Sequence, residues 1–112
     1  MYQLNFSLRG LPERTVSPRQ VGITMVMDKG LGRRAAEDLV ENAAPYFDYI
    51  KLGWSTALLV RSLPDKLAIY RSAGIKPYFG GTLWEAFYIR KQVDDFLRFL
   101  EKHGMQTVEI SD

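Results

Sequence analysis

Four short segments of this sequence hold the residue types that chemistry on anions needs: Asp28-Lys29-Gly30, Lys51-Leu52-Gly53-Trp54, Gly80-Gly81-Thr82 and Glu109-Ile110-Ser111-Asp112. Lys51 lies within an apolar run, where a lysine either reaches an open strand end or suffers desolvation worth several kcal/mol. It then serves as a cation for an anionic substrate, or as a base with a lowered pKa. The alternative is a stem that follows the apolar surface while the ammonium reaches water. Glu109, with Asp28 and Asp112, is suited to hold Mg²⁺, which prefers carboxylate oxygens and keeps several waters. A salt bridge from Glu109 to Lys51 or Lys29 is the competing and compatible reading. Gly80-Gly81-Thr82 precedes a helix start, where free N–H groups and the helix dipole receive phosphate; a tight turn also wants glycine. Thr82 and Glu85 have capping-box spacing, which would turn Glu85 back onto the Thr82 N–H.

These segments share one property: each lies at the C-terminal end of a predicted strand. Ile23–Met27, Phe47–Trp54, Ile75–Phe79 and Thr107–Ile110 are short apolar runs of the kind that form strands in a sheet covered on both faces. Between them the period changes. Ala36, Leu39, Val40 and Ala43 fall at helical spacing, with Arg34, Glu37, Asp38 and Glu41 opposite, and Pro45 ends that helix. A short apolar connection after Trp54 leads to Ser62 as N-cap, with Pro64 in the first turn. Leu63, Leu67 and Tyr70 form the buried face of the second helix, and Gly74 ends it. The third helical stretch runs from Thr82 to about Lys102, with a break near Arg90 to Gln92 and Gly104 as its cap. Trp84, Phe87, Phe96 and Phe99 are expected to pack against the sheet, Trp54 in the core, and His103 near the carbonyls of the helix end.

Strand, turn, helix and glycine recur about every 25 to 30 residues, so the class is α/β with parallel strands and helical crossovers. Two architectures remain open on pattern alone. A doubly wound sheet closes in this length, but the GxGxxG and GxxxxGK[ST] phosphate motifs are absent. A full (β/α)₈ barrel takes ~250 residues, so four strands at this pace make half of one. Either architecture places function at the C-terminal ends of the strands, where the four segments fall. Residues 1–20, rich in turns and proline, form a lead-in, and residues 21–112 carry the strands and helices.

Composition limits the function classes. Fifteen Lys and Arg oppose thirteen Asp and Glu, interspersed rather than blocked, which argues against a nucleic-acid or membrane surface. With no cysteine and one histidine, disulfides, thiolate nucleophiles and cysteine zinc sites are excluded. No apolar run approaches the ~20 residues of a membrane span, and Met1–Gly10 lacks the apolar core of a signal peptide. A soluble, cytoplasmic protein is expected.

The four segments together resemble the phosphosulfolactate synthase family. The resemblance is carried by Gly22-Ile23-Thr24-Met25-Val26-Met27-Asp28-Lys29-Gly30-Leu31, Phe47-Asp48-Tyr49-Ile50-Lys51-Leu52-Gly53-Trp54, Gly80-Gly81-Thr82-Leu83-Trp84-Glu85 and Val108-Glu109-Ile110-Ser111-Asp112, in order and at the family's spacing. It covers the first half of that family's chain and favours the barrel over the doubly wound sheet. It implies a Mg²⁺-dependent carbon–sulfur lyase that adds sulfite to phosphoenolpyruvate, the start of one route to coenzyme M. In that reading Lys51 and Lys29 neutralise anionic groups, with Glu85 as a supporting polar group of the catalytic set. Gly80, Gly81 and Thr82 bind substrate, and Asp28, Glu109 and Asp112 hold the metal.

Trp84 stands where the family usually has Phe, and Ser55-Thr56 where Gly-Thr-Ser is common. Further strands, including a lysine implied in protonation, are expected from a second half. The half-barrel is therefore expected to pair with a second copy or a complementary chain, or to be inactive alone. A plant heat-stress group in the same superfamily supplies the alternative of a non-catalytic member.

Overall fold

Parallel strands need long crossovers, and the computed structural model, which describes residues 4–111, places a helical crossover between each pair. β1 (Met25–Asp28) leads to α1 (Arg33–Ala43) and a short 3₁₀ turn at Ala44–Tyr46. β2 (Tyr49–Leu52) is followed by α2 (Trp54–Leu59) and α3 (Leu63–Ser72). β3 (Lys76–Phe79) is followed by α4 (Gly81–Ile89) and α5 (Val93–Lys102). The three strands form one parallel sheet in the order β1-β2-β3.

Three expectations are corrected. The stretch after Gly53 is not a plain connection but the helix α2, whose Thr56 and Ala57 are buried. The fourth strand is reduced to one parallel bridge, Phe79 to Val108. It lies at the edge of the sheet with Val108 and Ile110 exposed, and it is tied down by side chains at its tip rather than by a ladder. The first strand begins at Met25, and just before it the Thr24 carbonyl accepts from the Asp48 and Tyr49 N–H groups.

Among the described residues helices cover one face of the sheet, and the register shows which residues lie on each side. Cα partners Asp28–Leu52, Leu52–Phe79 and Val26–Ile50 put these residues on one face. That face is the core: Asp28, Ile50, Leu52 and Phe79 are fully buried beneath Ala36, Leu67, Tyr70 and Phe96 of the helices. Side chains alternate along a strand, so Met25, Met27, Tyr49, Lys51 and Tyr78 share the other face. There Met25 and Met27 are 45% and 44% exposed. Tyr49 meets Tyr78 edge-on at 6.2 Å, and the Lys76 ammonium sits over the Tyr49 ring.

The lead-in is anchored to the sheet. The Arg19 guanidinium, fully buried, donates to Asp48 Oδ1 at 2.9 Å and to the Pro45 carbonyl at 2.6 Å, while the Thr24 N–H donates to Asp48 Oδ2. Burial raises the Asp48 carboxyl, but Thr24 and Arg19 outweigh it and hold the group below its ordinary value.

The expected break in the third helical stretch is present and has a local cause. Gln92 N–H bonds the Phe87 carbonyl and Lys91 N–H bonds the Tyr88 carbonyl, closing a Schellman motif with Lys91 at φ 57°. The same motif ends α3 at Gly74 and α5 at Gly104, where glycine takes the left-handed conformation freely. A side chain there costs ~1–2 kcal/mol, partly offset by the smaller unfolded-state freedom of a non-glycine residue. Lys91→Gly is therefore expected to stabilise the chain by about 0.5–1 kcal/mol, read as a higher urea midpoint at constant slope.

Candidate functional site

The strand tips divide into two clusters, one on each face of the sheet. On the open face, Lys51 of β2 reaches across to Glu109, its ammonium donating to Oε1 at 3.1 Å and Oε2 at 3.2 Å. The Lys51 side chain is 17% exposed and that of Glu109 38%. The Lys51 stem lies beside Gly80 and its ammonium meets the Glu109 carboxylate at the rim, the salt bridge expected as the competing reading of Glu109. Glu109 Oε1 also accepts the Gly81 N–H at 2.6 Å. That N–H bond is the first cause holding the Glu109 carboxyl below its ordinary value, with burial opposing it and Lys51 adding to it. Tyr78, the register partner of Lys51, has its phenol pushed up by burial and by Glu109.

This arrangement corrects the capping box. α4 starts at Gly81, one residue before Thr82, and no side chain of its N-cap residue closes the end. The carboxylate that caps it comes from Glu109, far away in sequence. Glu85 is left free of that duty and accepts the Ser111 hydroxyl at 2.7 Å, while Trp84 Nε1 donates to the Ser111 carbonyl. Glu85, Gly81 and Glu109 therefore lie in one cluster with Lys51, and Thr82 is exposed beside it. Gly81 is required here for space: a Cβ would lie 2.6 Å from Ser111 Oγ and 3.1 Å from Glu109 Oε1.

On the helix-covered face, Asp28 is wholly buried. Its Oδ1 accepts the Gly30 N–H at 2.9 Å and the Leu31 N–H at 2.8 Å. Its Oδ2 accepts the Tyr70 hydroxyl at 2.7 Å and lies 2.6 Å from the Lys66 ammonium. Burial alone would raise this carboxyl; Lys66, Tyr70, Gly30 and Leu31 together overcome it and hold it low. The Tyr70 phenol moves the opposite way, raised by burial and then by Asp28. Lys29, one residue on, is exposed and pairs with no carboxylate among the described residues.

Sequence reasoning missed Lys66. The signal was present: it lies three residues after Leu63 and four before Tyr70, inside the stripe assigned to the core.

The expected magnesium site does not fit this geometry. Asp28 and Glu109 lie on opposite faces of the sheet, and the oxygens of Asp28 already serve four donors. Asp112 lies outside the described residues. Among the described residues no group of three His, Cys, Asp or Glu side chains is placed to share an ion. No helix among them is long and apolar enough to cross a membrane.

Comparison with known proteins places this geometry in a sequence family. The family model described as (2R)-phospho-3-sulfolactate synthase (ComA) matches residues 12–112. A phosphosulfolactate synthase of Methanothermobacter thermautotrophicus is 42% identical over 103 residues, covering 90% of this chain and 40% of the relative. One from Bacillus subtilis is 36% identical over 108 residues, covering 96% of this chain and 42% of its own. One from Methanocaldococcus jannaschii is 41% identical over 95 residues, 83% of this chain and 38% of its own. The chain thus spans about two-fifths of the length of these curated relatives.

Proposed function

Because the chain belongs to the phosphosulfolactate synthase family, we propose that its strand tips form the anion-binding part of a site that adds sulfite to phosphoenolpyruvate. The observation that carries this reading is Lys51, held by Glu109 on the open face beside the Gly81 N–H. In such an addition the sulfite lone pair forms a carbon–sulfur bond to the methylene carbon. The double-bond pair moves towards the carboxylate as an enolate, and a proton then reaches the carbon that bears the phosphate. Two anions must meet, so a preorganised cation lowers the barrier by offsetting charge that grows during the step. Lys51 supplies that cation and Lys29 a second one on the exposed loop, with Glu85 and Ser111 fixing the floor. No step is assigned to a metal.

The relatives are longer, and their remaining length is expected to complete a (β/α)₈ barrel and supply the proton donor. The open face of Met25, Met27, Tyr49, Lys51 and Tyr78 is the wall such a barrel would turn inward. Its covering by a second copy or a complementary chain is part of the proposal, as is a cytoplasmic setting. Light scattering during gel filtration should show an assembly larger than one chain; a lone monomer at high concentration would sink this part.

The chain incubated with phosphoenolpyruvate, sulfite and Mg²⁺ is expected to consume phosphoenolpyruvate, or at least to bind it in calorimetry. Turnover supports the full reading, and binding without turnover an incomplete site. Neither result would leave the second reading, a non-catalytic member, which the neutralisation of Lys51 by Glu109 favours.

A further inference from the structure

A carboxylate at a strand tip invites a metal, yet Asp28 is built into something else. Lys66 has no exposed surface, and its ammonium lies 2.6 Å from Asp28 Oδ2, the ion pair that is its one partner among the described residues. A divalent ion at Asp28 would have to displace that ammonium, leaving a buried charge without compensation.

The same carboxylate folds the loop. Oδ1 gathers the Gly30 and Leu31 N–H groups, so the turn after β1 closes around Asp28, and Lys29 is carried within it. The Asp28 carbonyl accepts the Gly53 N–H at 3.0 Å, tying the end of β1 to the residue two beyond Lys51. α3 therefore controls the strand-tip loop through two side chains, Lys66 and Tyr70, that converge on one oxygen.

We propose that Lys66 is a positioning residue of the strand-tip site, acting through Asp28, and that Asp28 serves as its counter-ion and as the loop's pivot rather than as a metal ligand. The consequence for substrate rests on the function proposed above; the geometry of the loop does not.

The test uses the whole chain in solution and Mn²⁺ as a paramagnetic probe of carboxylates. The Gly30 and Leu31 amide signals should keep their intensity at Mn²⁺ concentrations that broaden signals near exposed carboxylates. Selective broadening of these two amides that disappears in Asp28→Asn would overturn the proposal. Hydrogen exchange then tests the positioning. In Lys66→Met, and more weakly in Tyr70→Phe, exchange at Gly30 and Leu31 should quicken about tenfold while the α5 amides hold their rates. Uniform quickening that includes α5, or none in either variant, would refute the positioning role. If the wild-type chain binds phosphoenolpyruvate, Lys66→Met should weaken that binding at unchanged α5 protection; unaltered affinity would refute the link to the site. If the wild-type chain does not bind it, the proposed function fails while the exchange and Mn²⁺ results still decide the role of Asp28.

Discussion

Asp28→Asn is expected to cost about 3–5 kcal/mol of stability, whereas Lys66→Met costs less than half of that and the double variant recovers much of the loss. The asymmetry follows from who else serves each partner. Asparagine keeps the shape and keeps an oxygen for Gly30 and Leu31, but it strands a buried ammonium that has no other partner among the described residues. Methionine strands a carboxylate that retains Tyr70 and two backbone N–H groups. A domain with total stability of ~5–15 kcal/mol can lose a large share of it through the first change alone. Urea titration of the wild type, both single variants and the double variant closes the cycle; equal costs for the two single variants would contradict this account. The same logic fixes the acid side. The Asp28 carboxyl is held below its ordinary value in the fold. Its contribution is therefore complete above the unfolded value of about 3.9 and is lost as pH falls through the folded one.

Lys66 shows how much of this was legible in the sequence. Period and punctuation located three strands within two residues and placed the break before Gln92, because glycine, proline and helical spacing are local signals. The face on which each strand residue lies was not legible. Asp28 and Lys51 look alike as polar ends of apolar runs, yet a register pairing Asp28 with Leu52 sends them to opposite sides of the sheet. Register is a relation between strands that neither strand carries alone. The capping box failed for the same reason: Thr82 and Glu85 had the right spacing, but Glu109 reached the Gly81 N–H first, from a segment 28 residues away. Lys66 was hidden by residue type, since a lysine inside an apolar stripe is ordinarily read as a surface residue until its counter-ion is known.

Lys51→Met and Glu109→Gln should change phosphoenolpyruvate affinity in opposite directions. In the resting geometry Glu109 satisfies the Lys51 ammonium with both oxygens, so an incoming phosphate or carboxylate competes with an anion already in place. Glutamine removes the competing charge and keeps an oxygen for the Gly81 N–H, which freezes the start of α4 as before. The ammonium is then free for substrate, and affinity should rise by about tenfold, the equivalent of ~1.4 kcal/mol for one partly exposed charge contact. Methionine keeps the stem against Gly80 but removes the cation, leaving Glu109 to repel the ligand. Affinity should fall at least about a hundredfold, since both the attraction is lost and a like charge is uncovered. Calorimetry reads both variants against the wild type. Were Glu109→Gln to weaken binding as much as Lys51→Met, Glu109 would be acting on the ligand directly, and its assignment as the holder of Lys51 would fall.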